Sequence, residues 1–140
     1  MKENQALVRG LNLPISWKDS VEVCRFLRKK NLQKAKQMLQ RVLEKKMAVP
    51  IKRYGLRDRG HRPGKVGPGF YPEKVTKYIL RLLNTLEANA QDKGLNISNL
   101  ILKELIPNKA SLPWHSGRQR RRKMKRAHIK IIAEEVKTKK

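Results

Sequence analysis

Apolar positions recur at three- and four-residue steps in three stretches of the chain, which is the spacing of one helix face. The first stretch opens at Ser16, with Asp19 three residues on in the arrangement of a capping box. Trp17, Val21, Cys24 and Leu27 follow, widened by Val23 and Phe26. Asn31 is placed to cap a second helix whose stripe is Leu32, Ala35, Leu39, Val42 and Leu43. A third starts with Pro72 in the first position and carries Val75, Tyr78, Ile79, Leu82, Leu83, Leu86 and Ala90, with Gly94 as its stop. Two later runs, residues 100–106 closed by Pro107 and residues 128–133, are short and rich in branched side chains, as strands are. A weaker run over residues 6–11 predicts a third strand. The expected fold is α+β, with three helices packed on a small three-stranded antiparallel sheet and a long protruding β-hairpin.

Two segments break the pattern. Residues 50–72 hold five glycines, four prolines and six Lys/Arg with a single acid, Asp58. Residues 107–127 separate the two strongest strands by far more than a tight turn needs. Both are read as extensions of one domain spanning residues 1–140, since neither has a core-forming period. Arms of about ten residues at about 3.3 Å each project the second segment roughly 30 Å from the sheet.

Charge then narrows the function. The chain of 140 residues has 35 Lys+Arg against 11 Asp+Glu, a formal net charge of +24. Such an excess repels itself in a compact fold and makes a polyanion the expected partner. No apolar run is long enough to span a membrane, the N-terminus has no secretory pattern, and the single Cys24 forms no internal disulfide. In the stretch from Arg118 to Arg126, seven of nine residues are basic: Arg118, Arg120, Arg121, Arg122, Lys123, Lys125 and Arg126. Guanidinium forks match phosphate geometry, and each neutralised phosphate releases counterions. Within residues 50–72, Lys52, Arg53, Arg57, Arg59, Arg62 and Lys65 supply charge, while Tyr54, His61, Phe70 and Tyr71 offer stacking surfaces. Lys109 and Trp114 add a cation and a ring to the outgoing arm. His61, His115 and His128 with one cysteine have no zinc spacing, and Cys24 reads as a core residue. The Gly64-Lys65-Val66-Gly67-Pro68-Gly69 run lacks the Walker spacing. No enzyme, metal or cofactor is expected.

Several segments resemble one family over most of the chain. The third helix carries Ala88-Asn89-Ala90 and Lys93-Gly94-Leu95; the loop carries Val49-Pro50-Ile51-Lys52-Arg53-Tyr54, Gly60-His61-Arg62 and Gly67-Pro68-Gly69-Phe70-Tyr71-Pro72. Pro107-Asn108-Lys109-Ala110 and Ala127-His128-Ile129-Lys130-Ile131-Ile132 stand at the two hairpin roots. Together these are similar to the universal large-subunit ribosomal protein L twenty-two family (L seventeen in eukaryotic nomenclature), in its archaeal/eukaryotic type. The resemblance implies a structural constituent of the large ribosomal subunit in the cytoplasm. It implies binding to large-subunit rRNA, support of assembly, and a β-hairpin lining the polypeptide exit tunnel beside the nascent polypeptide. Neighbouring large-subunit ribosomal proteins are implied partners, and no homo-oligomer is expected. By the same carry-over, His115, Ser116, Gly117 and Arg118 form the hairpin tip. The family tip usually has one more residue there, and this hairpin is a few residues shorter than usual.

Three other readings fit less well. A DNA-binding protein needs a recognition helix with base-reading polar residues at its start, and none of the three helices has one. A membrane-surface protein needs large apolar residues left exposed on a basic helix, whereas these stripes are required for a core. An RNA-processing enzyme needs paired carboxylates or a histidine constellation.

Overall fold

The computed structural model describes residues 4–55, 60–64, 66–118 and 120–136. In chain order the elements are β1 (Gln5–Leu13), α1 (Trp17–Leu27), α2 (Leu32–Leu43), β2 (Val49–Pro50), β3 (His61–Arg62) and β4 (Gly67–Phe70). They continue with α3 (Glu73–Asp92), a short 3-10 turn (Ile97–Asn99), β5 (Leu100–Lys109) and β6 (Ala127–Glu135). β6 lies between β1 and β5, antiparallel to both, in the sheet order β1-β6-β5. The expected α+β class and three-stranded antiparallel sheet are both present. Alternation sends Ala127, Ile129, Ile131 and Ala133 of β6 to the helix-covered face. On β5 the register shifts between Leu102 and Glu104, so Leu105 rather than Glu104 turns inward beside Leu100 and Leu102.

Both outer strands have their edges covered, which removes the template for pairing with another chain. The Lys29 N–H donates to Leu102 O (2.8 Å), the Leu102 N–H to Lys30 O (2.9 Å) and Arg28 Nη2 to Leu105 O (3.2 Å). Trp17 Nε1 donates to Pro107 O at 3.0 Å. Pro107 therefore does not end the strand; β5 runs on to Lys109, as proline can at an edge. Along β1, Asn89 Nδ2 donates to Leu7 O and Lys93 Nζ to Gln5 O.

The helices start and stop where their caps are. Ser16 Oγ accepts from the Asp19 N–H, and Asn31 Oδ1 accepts from the Gln33 N–H. α3 begins one residue later than expected, with Pro72 as its N-cap rather than its first turn. It ends in a Schellman motif, Gly94 N–H to Gln91 O and Leu95 N–H to Ala90 O, around Gly94 at φ 68°. The buried side of α1 is rotated from the expected stripe: Ser20, Val23, Cys24 and Leu27 are buried, while Val21 is half-buried. Leu82 of α3 is likewise half-buried, lying over Gly10.

Burial pushes the Cys24 thiol up to about 12, against a small downward pull from Arg28. The thiol thus stays protonated in the fold, and the stability it contributes is present below about pH 9 and lost as pH rises towards 12. Native protein at pH 8 is expected to resist iodoacetamide, with alkylation appearing only in denaturant; rapid native labelling followed by mass spectrometry would contradict this.

Candidate nucleic-acid interface

The two ends of the 50–72 segment are built onto the core rather than looped away from it. Ala48, Val49, Ile51 and Phe70 are all buried. β2, β4 and β3 form a second small antiparallel sheet, with Val49 opposite Phe70 and His61 opposite Pro68. Phe70 is therefore a core side chain, a correction to its reading as a stacking surface. These strands were invisible to periodicity because β2 and β3 are two residues long, too short to show an alternation, and Gly and Pro fill three of the four positions of β4.

What holds this segment is Glu22, only 1% exposed on α1. Its Oε1 accepts from the Arg53 and Tyr54 N–H groups at 2.9 Å each, and Oε2 accepts from the Lys52 N–H at 3.2 Å. Three backbone donors compensate the desolvated carboxylate. Backbone anchoring leaves the side chains of Lys52 and Arg53 outside, both exposed. Sequence reasoning missed Glu22, because an acid inside a helix reads as a solvated face. Glu22→Ala is expected to cost about 2–3 kcal/mol, by leaving three donors without their acceptor. It is also expected to raise hydrogen exchange at residues 52–54. Unchanged exchange there would show another anchor.

Tyr54 is half-buried, its ring 5.3 Å from that of Trp17 at 55°, with Arg53 5.3 Å and Lys18 6.0 Å from its centroid. Trp17 in turn borders a cleft of about 270 Å³ shared with Lys18, Lys109, Leu112, Lys125 and Arg126. The start of α1 therefore joins loop and hairpin into one basic surface. Lys18 belongs to it and had no sequence signal beyond its charge. Farther along the loop, His61 and Arg62 are exposed on β3. Arg62 lies 5.3 Å over the Tyr71 ring and donates from Nε to Gly69 O. Arg57, Arg59 and Lys65 lie outside the described residues.

The hairpin continues β5 and β6 beyond the core. Ala110 N–H donates to Arg126 O, Met124 N–H to Pro113 O and His115 N–H to Arg122 O. The β5–β6 ladder has Lys109 opposite Ala127, while farther out Trp114 is opposite Lys123. Five steps on one arm thus match four on the other, so the outgoing arm carries one extra residue, the count of a β-bulge. Among the described residues His115 is the last with a cross-strand hydrogen bond, so the closing turn runs from it towards Arg122. That turn contains Ser116, Gly117 (φ 92°), Arg118, Arg120 and Arg121. Arg118, Arg120, Arg121, Arg122, Lys123 and Lys125 are exposed. Arg120 Nε donates to Gly117 O (3.3 Å), and Lys123 Nζ lies 4.6 Å from the Trp114 ring. Trp114 itself is 58% exposed. Arg126 instead serves the root, donating from Nη1 to Asn12 O, while the Asn12 N–H donates to His128 Nδ1.

The family model described as Ribosomal protein L22p/L17e matches residues 8–134. The chain belongs to this family. Three relatives carry the name large ribosomal subunit protein uL22. That of Archaeoglobus fulgidus is 37% identical over 92% of this chain and 87% of its own length. That of Nanoarchaeum equitans is 39% identical over 96% and 81%, and that of Thermoplasma volcanium 44% identical over 79% and 73%. Members of the L22p/L17e family are named as ribosomal proteins rather than enzymes, in keeping with the absence of a catalytic constellation expected from the sequence. Among the described residues no helix is long and apolar enough to cross a membrane.

Proposed function

We propose that the protein is a structural constituent of the large ribosomal subunit that binds large-subunit rRNA through the surface running from Lys52, Arg53 and Tyr54 across Lys18 to Lys109, Trp114 and the hairpin cations. The observation that carries this reading is the hairpin. A two-stranded ribbon with seven cations among nine residues has no core of its own, so its order and its charge are both answered by threading between phosphates. Phosphate contacts supply most of the affinity, and RNA shape with unstacked bases supplies specificity. His61 and Arg62 extend the same basic field along the loop, and the sequence adds the charges of Arg57, Arg59 and Lys65 to it. In this reading the hairpin turn lines the polypeptide exit tunnel, facing the nascent polypeptide, and the protein supports assembly beside neighbouring large-subunit ribosomal proteins in the cytoplasm.

Sedimentation of lysate through sucrose tests the assignment: comigration with the large subunit that survives high salt is expected, and migration as free protein or with DNA overturns it. The tunnel position has its own test. A photoreactive residue replacing Ser116 is expected to crosslink a stalled nascent chain; crosslinks to rRNA alone would withdraw the tunnel contact while leaving the rRNA role intact.

A further inference from the structure

At the root of the hairpin, where both arms pass the start of α1, lies the cleft of about 270 Å³ that Trp17 borders. Its apolar walls are Trp17 on α1 and Leu112 on the outgoing arm, both half-buried. Lys18, Lys109, Lys125 and Arg126 form its rim, and among the described residues no carboxylate lines it. Lys18, Lys109 and Lys125 are exposed and form no ion pair with any described residue. A neighbouring cleft of about 590 Å³, bordered by Ile15, Val75 and Met124, is different. It holds the carboxylates of Asp19 and Glu73, the latter paired with Lys45, and acids on a wall disfavour an anionic ligand.

The Trp17 ring is fixed before any ligand arrives. Its Nε1–H donates to Pro107 O at 3.0 Å, and the Tyr54 ring lies 5.3 Å away at 55°. Ordering a ring in advance removes a cost that binding would otherwise carry. Leu112, by contrast, lies outside the buried core, and its neighbours Ser111, Pro113 and Trp114 on the arm are exposed. Its half-burial comes at the cleft.

We infer that this cleft takes one RNA nucleobase turned out of its stack, held against the Trp17 indole and Leu112, with the flanking phosphates on Lys18, Lys109 and Lys125. The inference rests on the rRNA-binding reading and deepens it by naming where an unstacked base enters the protein. Proteins reach RNA bases mainly where the strand is unpaired, and aromatic side chains supply the surface they stack on. A volume just below the roughly 300–1,000 Å³ of drug-sized sites limits the occupant to one flat ring system. The ammonium groups meet phosphate as charge-assisted donors. Without a carboxylate acceptor on the walls, the slot selects an unstacked base over a stacked one rather than one base over another.

The test uses the full chain carrying fluorinated tryptophan, whose two indoles give separate fluorine resonances, assigned through Trp114→Phe. It is titrated with a short oligouridylate and, separately, with the abasic ribose-phosphate strand of the same length. Both strands carry the same phosphates, and only the first carries bases. The Trp17 resonance is expected to move saturably with the oligouridylate and to stay close to its starting position with the abasic strand. Leu112→Ala is expected to weaken oligouridylate binding about tenfold more than abasic binding. Equal loss for both strands would mean a merely structural leucine and overturn the inference. Equal responses of Trp17 to the two strands, or a silent Trp17, would overturn it as well. Salt-dependent binding of the unsubstituted chain to large-subunit rRNA, measured alongside, separates the two readings. If that binding holds while Trp17 is silent, only the base slot falls. If it too is absent, the rRNA reading falls with it.

Discussion

Replacing Arg118, Arg120, Arg121, Arg122, Lys123 and Lys125 together by glutamine is expected to lower affinity for large-subunit rRNA by about four orders of magnitude at moderate salt. The thermal unfolding transition should stay cooperative, because these side chains are exposed and lie outside the buried core. The magnitude follows from counterion release. Each phosphate contact contributes about 0.7–0.9 to the slope of log affinity against log salt, so six contacts remove roughly 4–5 from it. Binding isotherms for both proteins across a series of KCl concentrations give the two slopes directly. Superimposed lines would mean that the hairpin cations do not meet phosphate, and the interface would then have to be sought on the loop and α1 alone. A loss of affinity with an unchanged slope would point instead to a bent or misdirected ribbon.

The second large effect concerns the core. Ile131→Asp is expected to unfold the protein, while Ile132→Lys on the adjacent position is expected to cost about 1 kcal/mol or less. Ile131 is fully buried on the central strand, flanked by Val8 of β1 and Leu105 of β5 beneath the helices. A carboxylate there has no partner, and burying an unpaired charge costs more than the margin of about 5–15 kcal/mol typical of domains readily absorbs. Ile132 points to the opposite face, where it is half-buried beside Leu7 and Glu104. A lysine there keeps its stem over the sheet and its ammonium near Glu104. Circular dichroism melts of the two variants decide the matter. Equal loss in both would show that the second face of the sheet is also covered.

Much of the architecture was legible because local pattern and tertiary demand agree. Ser16 and Asn31 cap the helices they were expected to cap, and Gly94 stops α3, since a cap needs only its own turn. The stripe Leu32, Ala35, Leu39 and Val42 is the buried side of α2 because a solvent-facing alternative would expose it all. The charge of the hairpin was legible for a simpler reason: seven cations in nine residues are read directly off the sequence.

What the chain alone determined, then, is every element whose signal is contained within its own few residues: the three helices, the sheet strands, their class and the basic arm. Only the tertiary structure decided the features that join distant segments. Glu22 became an anchor because the backbone of residues 52–54 arrives against α1, thirty residues later in the chain. Phe70 went inside because Val49 pairs opposite it. Leu105 faces the core because an extra residue in β5 shifts the register, which periodicity of two does not anticipate. The cleft bordered by Ile15, Val75 and Met124 exists only once the hairpin returns across the starts of two helices. Contacts of this kind depend on the relative placement of surfaces more than on the preferences of any one residue, and that placement is set by how the whole core packs.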